Sequence, residues 1–132
     1  GGALGRQLLG KARHRMSSRV PRVGIDATFK QVVNEVTDKH MGTTFVYDAD
    51  KPVGIITDGD IRRAIRRFDD LNAIRAAYIM SPNYKRVPQD ALLTDALELL
   101  DKYNITTLAV TSQKDADIIG ILSIHHIIDF VN

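Results

Sequence analysis

The stretch GIITDGDIRRAI, residues 54–65, passes from an apolar strand into an amphipathic helix across one short polar joint. Apolar residues 53–56 precede the run TDGD at 57–60, and apolar residues then recur at helical spacing between four arginines. A hydroxyl, two carboxylates, a glycine and an arginine cluster therefore gather where a strand ends and a helix begins. This joint is the candidate functional site of the chain.

The chemistry of such a joint suits a phosphorylated sugar. Backbone N–H groups at a helix start lack intrahelical partners and carry partial positive charge, so they attract anions. Gly59 allows close approach to the backbone, Thr57 supplies a hydroxyl, and Asp60 is able to accept from a ribose diol. Arg62 and Arg63 are placed to take phosphate oxygens in the bidentate manner of a guanidinium.

A simpler interpretation of the same joint needs no ligand. Asp58 or Asp60 is then a helix N-cap, and the arginines form a solvated helix face. The joint by itself favours this interpretation, and only the rest of the sequence can distinguish a ligand site from a helix cap.

Outward from the joint, the chain repeats itself at an offset of 64 residues, which brings Met16 onto Met80 and Asp26 onto Asp90. After a two-residue insertion near Lys114, GIITDGDI falls on GILSIHHI. The identities are few, but they fall at the turns and element ends. The two halves therefore share one fold.

Each half predicts the same succession of elements. Apolar residues at helical spacing begin at Phe29 and at Leu92, and each helix is followed by two strands and a short closing helix. The predicted strands cover 44–47, 53–56, 108–111 and 118–122, and the closing helices run from about 60 to 68 and from about 125 to 131. We predict an α/β (α+β) fold of two β-α-β-β-α motifs, packed about a pseudo-twofold axis because a half of about 60 residues buries little alone.

Composition narrows the classes of function. The chain has 132 residues and no cysteine, which excludes disulfides and thiolate metal sites and fits a cytoplasmic location. No apolar run approaches the roughly 20 residues that span a bilayer, so no membrane partner is expected. Residues 1–22 hold six of the 18 basic residues and no acid, leaving 12 basic and 16 acidic residues elsewhere. The body is therefore not a nucleic-acid platform.

The repeat, with its Gly-apolar-apolar-Thr/Ser motif after the last strand of each half, resembles a tandem cystathionine β-synthase (CBS) domain pair over residues 14–132. The resemblance implies adenine nucleotides or related ligands in two clefts, and regulation of a partner domain. It implies that Thr57 and Asp60 hold the ribose. It further implies that the sites are lined by Met41, Gly42, Thr43 and Phe45 in the first half, by Ile105, Thr106, Thr107 and Ala109 in the second, and by backbone near Val23 and Val87.

The second half departs from the motif at its ligand-binding end. Ser123 keeps the hydroxyl, but His126 stands where the ribose-binding aspartate is expected. Neutral imidazole forms hydrogen bonds to a sugar but lacks the paired acceptors of a carboxylate. We therefore expect the first site to bind ligand, and the second to be altered or suited to a more anionic ligand.

The opening GGALGRQLL, followed by a pair carrying TDGDIRR, resembles the junction in sugar-phosphate isomerases of the arabinose 5-phosphate isomerase family. That resemblance implies a catalytic sugar-isomerase (SIS) domain upstream, a linker over 1–13, CBS motifs over 14–70 and 71–132, a homodimer, and a tetrameric parent. The parent would interconvert D-ribulose 5-phosphate and D-arabinose 5-phosphate on the route to the lipopolysaccharide sugar Kdo. The chain itself would have no catalytic residue and no required cofactor. Its candidate ligands are AMP, ADP, ATP and a cytidine nucleotide such as CMP-Kdo.

Other classes stay open at the level of sequence. A structural dimerisation module would keep the repeat with vestigial clefts, and the pair could belong to another enzyme or stand alone. A nucleic-acid module rests only on the basic N-terminal segment, and an enzyme lacks a visible acid–base set. We assign no metal site to His125 and His126, because adjacent helix residues do not face each other.

Overall fold

The computed structural model describes residues 9–113 and 117–128. In chain order its elements are helix α1 (Ala12–Arg15), strand β1 (Arg22–Gly24), helix α2 (Phe29–Lys39), strands β2 (Thr43–Asp48) and β3 (Lys51–Thr57), helix α3 (Asp58–Arg67), a 3-10 turn (Leu71–Ala73), helix α4 (Ala76–Ile79), strand β4 (Arg86–Pro88), helix α5 (Leu93–Lys102), strands β5 (Thr107–Thr111) and β6 (Ile118–Ser123), and helix α6 (Ile124–Ile128).

The strands form two sheets of three, in the orders β1-β2-β3 and β4-β5-β6. In each sheet the central strand pairs in parallel with the first and antiparallel with the third. A parallel neighbour requires a crossover, and the helix between the first and second strands provides it in both sheets. The predicted mixed α/β fold with two β-α-β-β-α motifs is therefore confirmed.

Helix α2 begins and ends at residues whose side chain or backbone conformation caps a helix. Thr28 caps α2 by accepting from the Gln31 N–H at 3.2 Å, and the Gln31 side chain accepts in return from the Thr28 N–H at 2.9 Å. The helix stops at His40, whose φ of 57° is left-handed. Val32 and Val36 are buried. The apolar residues at helical spacing in the sequence therefore form the face that packs on the sheet.

Each sheet has its own apolar core within one of two compact units. The first unit spans Val20–Tyr84, and the second unit joins the described residues of 1–19 to those of 85–132. The core of the first unit comprises Val32, Val46, Ile56, Ala64, Ile74, Ala76 and Ile79. The core of the second comprises Ala12, Val87, Leu93, Ala96, Leu100, Leu108, Val110, Leu122 and Ile127.

The start of each repeat packs on the sheet of the other repeat. Ser17 bridges to Ile121 of β6, with N–H···O distances of 2.8 and 2.9 Å, and Ser81 bridges in the same way to Ile55 of β3. The methionine before each serine lies over a glycine of that strand, Met80 over Gly54 and Met16 over Gly120. The spatial units therefore differ from a division along the chain, and the linear boundaries at 13 and 70 stay predictions about the repeats.

The sequence missed the short helices α1 and α4, because four residues are too few to show a helical period. The four predicted strands are confirmed to within two residues. The first closing helix begins at Asp58, two residues before its predicted start, because Thr57 rather than an aspartate caps it. The second begins at Ile124, and its predicted extension over 129–131 lies outside the described residues.

Candidate functional site

The candidate site of the first unit lies where β3 runs into α3. Thr57 is the last residue of the strand and the N-cap of the helix, with extended backbone angles of −105° and 169°. Its hydroxyl accepts from the Asp60 N–H at 3.3 Å and donates to Asp60 Oδ2 at 3.1 Å. Neither Asp58 nor Asp60 is the N-cap, which corrects the simpler interpretation of the joint in detail.

Asp60 is the centre of the hydrogen-bonding arrangement. Its Oδ2 accepts from the Thr57 N–H at 2.9 Å, completing a reciprocal capping box. Its Oδ1 accepts from Arg63 Nη2 at 2.7 Å, and the carboxylate side chain is 18% exposed. One carboxylate oxygen therefore accepts the capping hydrogen bonds of the helix, and the other pairs with the exposed guanidinium of Arg63.

The turn before β2 meets the joint across the sheet. The Asp58 N–H donates to the Gly42 carbonyl at 3.0 Å, and Thr43 pairs with Thr57 in the β2–β3 register. Gly42 has a φ of +67°, and a Cβ there would lie 3.0 Å from Asp58 Oδ2. A glycine is therefore required beside the joint. Thr43 is buried and donates from its hydroxyl to the Ile56 carbonyl at 2.9 Å.

The structure brings Gly42 and Thr43 next to Thr57 and Asp58. Met41 is half-buried in the turn after α2. Phe45 is fully buried, and its ring contacts that of Tyr84 edge to face at 5.6 Å. Val23 of β1 pairs with Val46 of β2. The role of these residues in lining a nucleobase stays a prediction.

The arginines of α3 differ in their surroundings. The Arg63 side chain is 69% exposed and turns back to Asp60, whereas Arg62 points to solvent without a hydrogen bond to any described residue. Asp58 and Asp60 lie in the first turn, with Arg66 and Arg67 in the last, so the charges complement the helix dipole. The pairing of Arg63 with Asp60 was not anticipated from sequence.

A groove extends from Asp60 along α3 towards α4. Its volume is about 420 Å³ including the solvent at its mouth, and it is lined by Asp60, Arg63, Ala64, Arg67, Tyr78, Ile79 and Met80. The sequence alone could have predicted that residues 60, 63, 64 and 67 lie on one face of the helix, because they are three or four positions apart. The sequence could not have predicted that residues 78–80 line the same groove, because they belong to the next repeat.

The corresponding joint of the second unit has the same frame with different chemistry. Thr107 pairs with Ser123, and the Ile124 N–H donates to the Thr106 carbonyl at 2.8 Å. The Ser123 N–H donates to His126 Nδ1 at 3.2 Å, as the Thr57 N–H donates to Asp60. His126 therefore occupies the capping position of Asp60, and an imidazole nitrogen replaces a carboxylate oxygen.

The other predicted residues of the second unit spread around this joint. Ile105 is half-buried, Thr106 is exposed, and Ala109 and Val87 are buried in the sheet. Ser123 is also buried, and its hydroxyl accepts from the His125 N–H at 3.2 Å. Binding by this joint, like binding by the first, stays a prediction.

Neither a metal-binding cluster nor a membrane-spanning helix occurs in the part of the chain that the structure describes. Residues 9–113 and 117–128 contain no group of three or more His, Cys, Asp or Glu side chains arranged to hold a metal ion. Within the same ranges, no helix has the length and apolar character needed to cross a membrane.

The similar proteins with curated functions include arabinose 5-phosphate isomerases. The chain is 39% identical over 114 residues to arabinose 5-phosphate isomerase KpsF of Escherichia coli, covering 86% of this chain and 35% of that protein. It is 37% identical over 129 residues to arabinose 5-phosphate isomerase KdsD of Yersinia pestis, covering 95% and 38%. The chain therefore spans little more than a third of the length of these relatives.

Solved structures share the fold. The CBS domain pair of protein MJ0100, in complex with 5′-methylthioadenosine and S-adenosyl-L-methionine, matches with a TM-score of 0.81 and 19% identity, covering 93% of this chain and 96% of that one. A CBS domain protein from Pyrobaculum aerophilum complexed with AMP matches at 0.78 and 22%, covering 88% of each. The family model of the CBS domain matches residues 12–67 and again 74–132. With both repeats matched, the chain belongs to the CBS domain family and carries a tandem pair of its domains.

Proposed function

We propose that this chain is the nucleotide-sensing regulatory part of an arabinose 5-phosphate isomerase, and that it binds its ligand at the joint of Thr57 and Asp60. The observation that carries the proposal is the part-buried Asp60 carboxylate, held by the Thr57 cap with Oδ1 directed away from that cap. The chain itself performs no catalysis in this proposal.

The geometry supports recognition of a ribose. A sugar diol is a hydrogen-bond donor, and Asp60 Oδ1 is an acceptor whose present partner is an exposed side chain. The hydrogen bonds from Thr57 hold the carboxylate in one orientation, so a ligand meets a preorganised acceptor. The nearby arginines of α3 supply positive charge for a phosphate.

Adenine and cytidine nucleotides are the ligand classes we propose. Two solved CBS structures of the same fold hold AMP or adenosine-containing molecules. For a first enzyme on the route to Kdo, the nucleotide-activated end product CMP-Kdo is the reasonable feedback ligand. The preferred base would identify the signal that the pair senses.

The assignment to an isomerase rests on curated relatives such as KpsF and KdsD, of which the chain matches little more than a third. The proposed parent joins this pair to a catalytic SIS domain, interconverts D-ribulose 5-phosphate and D-arabinose 5-phosphate, and acts in the cytoplasm. Homodimerisation through the CBS helices, and a tetrameric parent, belong to the same proposal.

A second candidate function is a structural dimerisation module without ligand. His126 favours it, because an imidazole in the capping position of the second joint removes the carboxylate that would hold a ribose. The first joint keeps its carboxylate, Asp60, in the corresponding position, and we therefore prefer ligand sensing.

Isothermal titration of the fragment with AMP, ATP, CMP and CMP-Kdo tests the proposal. We expect at least one to bind, and Asp60→Asn to weaken it about tenfold or more, since a charged acceptor is lost while an oxygen remains for the Thr57 N–H. Asp69→Ala, an exposed aspartate just beyond α3, is the matched control and should bind as wild type. Absence of binding by all four would favour the dimerisation module.

A further inference from the structure

The outward oxygen of Asp60 is already engaged in the structure. Arg63 Nη2 donates to Asp60 Oδ1 at 2.7 Å, while Oδ2 takes both hydrogen bonds from Thr57. A ribose hydroxyl that approaches Oδ1 therefore meets a guanidinium in front of it. The pair lies within one helix, three residues apart, so its two side chains are neighbours on the surface of α3.

The path of the Arg63 side chain depends on Gly59. A Cβ at Gly59 would lie 3.2 Å from Arg63 Nη1 and 3.3 Å from Nη2, so the guanidinium lies directly over the glycine. With 69% of the side chain exposed, the ion pair is well solvated and weak. A competing anion is therefore able to draw the guanidinium away from Asp60.

The surroundings favour a competing anion rather than a neutral group. The groove beside Asp60 also contains Arg67, whose Nη2 donates to the Tyr78 carbonyl at 3.4 Å. Among the described residues that line this groove, Asp60 supplies the one carboxylate, and Arg63 and Arg67 supply two guanidinium groups. A phosphate would offer Arg63 a bidentate partner in exchange for the single hydrogen bond it gives Asp60.

We propose that Arg63 is the residue that makes the first site select phosphorylated ligands, by covering Asp60 until an anion releases it. A neutral nucleoside has to displace Arg63 from Oδ1 without giving it a new partner. A nucleoside phosphate frees the carboxylate for the ribose and pairs with the released guanidinium. This inference rests on the proposed function, because it assumes that a nucleotide binds at Asp60.

The test compares nucleosides with nucleotides on matched variants. Adenosine and AMP, and cytidine and CMP, are titrated into wild type, Arg63→Ala and Arg66→Ala, the last removing an equal charge from the same helix. In Arg63→Ala we expect nucleosides to bind about two- to fivefold tighter, the range of an exposed ion pair. We expect the preference for the phosphate over the nucleoside to fall by about tenfold. Arg66→Ala should leave this preference within twofold of wild type.

Arg63→Lys adds a second variant with the charge retained. An ammonium binds phosphate but lacks the planar fork, so its preference should fall between those of wild type and Arg63→Ala. Because Arg63 is exposed, melting temperatures of all variants should match wild type and exclude unfolding as the cause.

The outcomes separate this inference from the proposed function. If wild type binds nucleotide, Asp60→Asn loses it, and Arg63→Ala keeps the wild-type preference, the inference is overturned and the proposed function stands. If neither wild type nor Arg63→Ala binds any of these four compounds, ATP or CMP-Kdo, both are overturned. A loss of preference in Arg66→Ala equal to that in Arg63→Ala would indicate general charge attraction and overturn the specific role of Arg63.

Discussion

Asp60 serves two purposes at the residue scale. Its Oδ2 closes a capping box with Thr57, which contributes on the order of 1 kcal/mol to the start of a helix, and its Oδ1 faces Arg63. Both interactions join residues three apart, within the local sequence TDGDIRR. The stability of the joint and its proposed chemistry therefore share one side chain.

Glycine at 59 has a measurable effect on stability at this scale. We expect Gly59→Ala to raise the free energy of unfolding by about 0.5–1 kcal/mol, because alanine has the better helix propensity and the nearest atoms, 3.2 Å away, belong to the flexible end of Arg63. Urea unfolding measures the change.

Gly42→Ala provides the contrast for that measurement. Its φ of +67° and the 3.0 Å approach to Asp58 Oδ2 predict a loss of about 1–2 kcal/mol instead. If the Gly59→Ala protein is less stable than wild type, the Arg63 side chain does not move away from the added Cβ, and this prediction is wrong.

Packing of a methionine against a glycine is repeated at the scale of the elements. Met80, just after α4, lies over Gly54 in β3, and Met16, just after α1, lies over Gly120 in β6. The following serine in each case pairs with the next residue of the strand. Each sheet therefore gains an edge contact that only a residue without a Cβ allows.

We expect Gly54→Ala to destabilise the protein by about 1–3 kcal/mol. A Cβ at this position would lie 2.6 Å from Met80 Sδ and 2.9 Å from the Ser81 carbonyl, and the backbone atom has little freedom to retreat. Thermal and urea unfolding measure the loss. Gly24→Ala is the control, since its nearest atom is the Tyr47 carbonyl at 4.0 Å, and it should change stability by less than about 0.5 kcal/mol. Equal effects of the two substitutions would contradict this account.

The division of the chain into units belongs to the scale of the whole molecule. Residues 10–18 complete the second unit, with Ala12 fully buried in its core and Ser17 paired with Ile121. The segment that opens the first repeat therefore stabilises the sheet of the second.

Deletion of residues 1–19 should destabilise the second unit selectively. The deletion removes Ala12 and Met16 from its core and both hydrogen bonds between Ser17 and Ile121. We expect amide hydrogen exchange to accelerate in β5 and β6 while β2 and β3 keep their protection, because the first unit loses none of its residues. Equal acceleration in both sheets would show that the units do not unfold separately.

The sequence determined the elements and the local chemistry of this protein. Helical spacing, apolar strands and turn residues act over a few positions, so α2, α3, α5 and four strands were predictable, as was the placing of Thr57 and Asp60 at one joint. The repeat made the two sheets alike. The capping roles of Thr57 and His126 could also have been predicted from sequence, because each capping hydrogen bond joins residues three positions apart.

Only the tertiary structure decided which segments share a core. Residues 12–17 and 76–81 look alike in sequence, and nothing local tells each to pack on the sheet of the other repeat. That choice is made by long-range burial, which brings Met80 to Gly54 and forms the groove beside Asp60 from α3 and α4. The conformation of Arg63 over Gly59 was decided there as well, because an exposed side chain has many rotamers and its position depends on the finished surface.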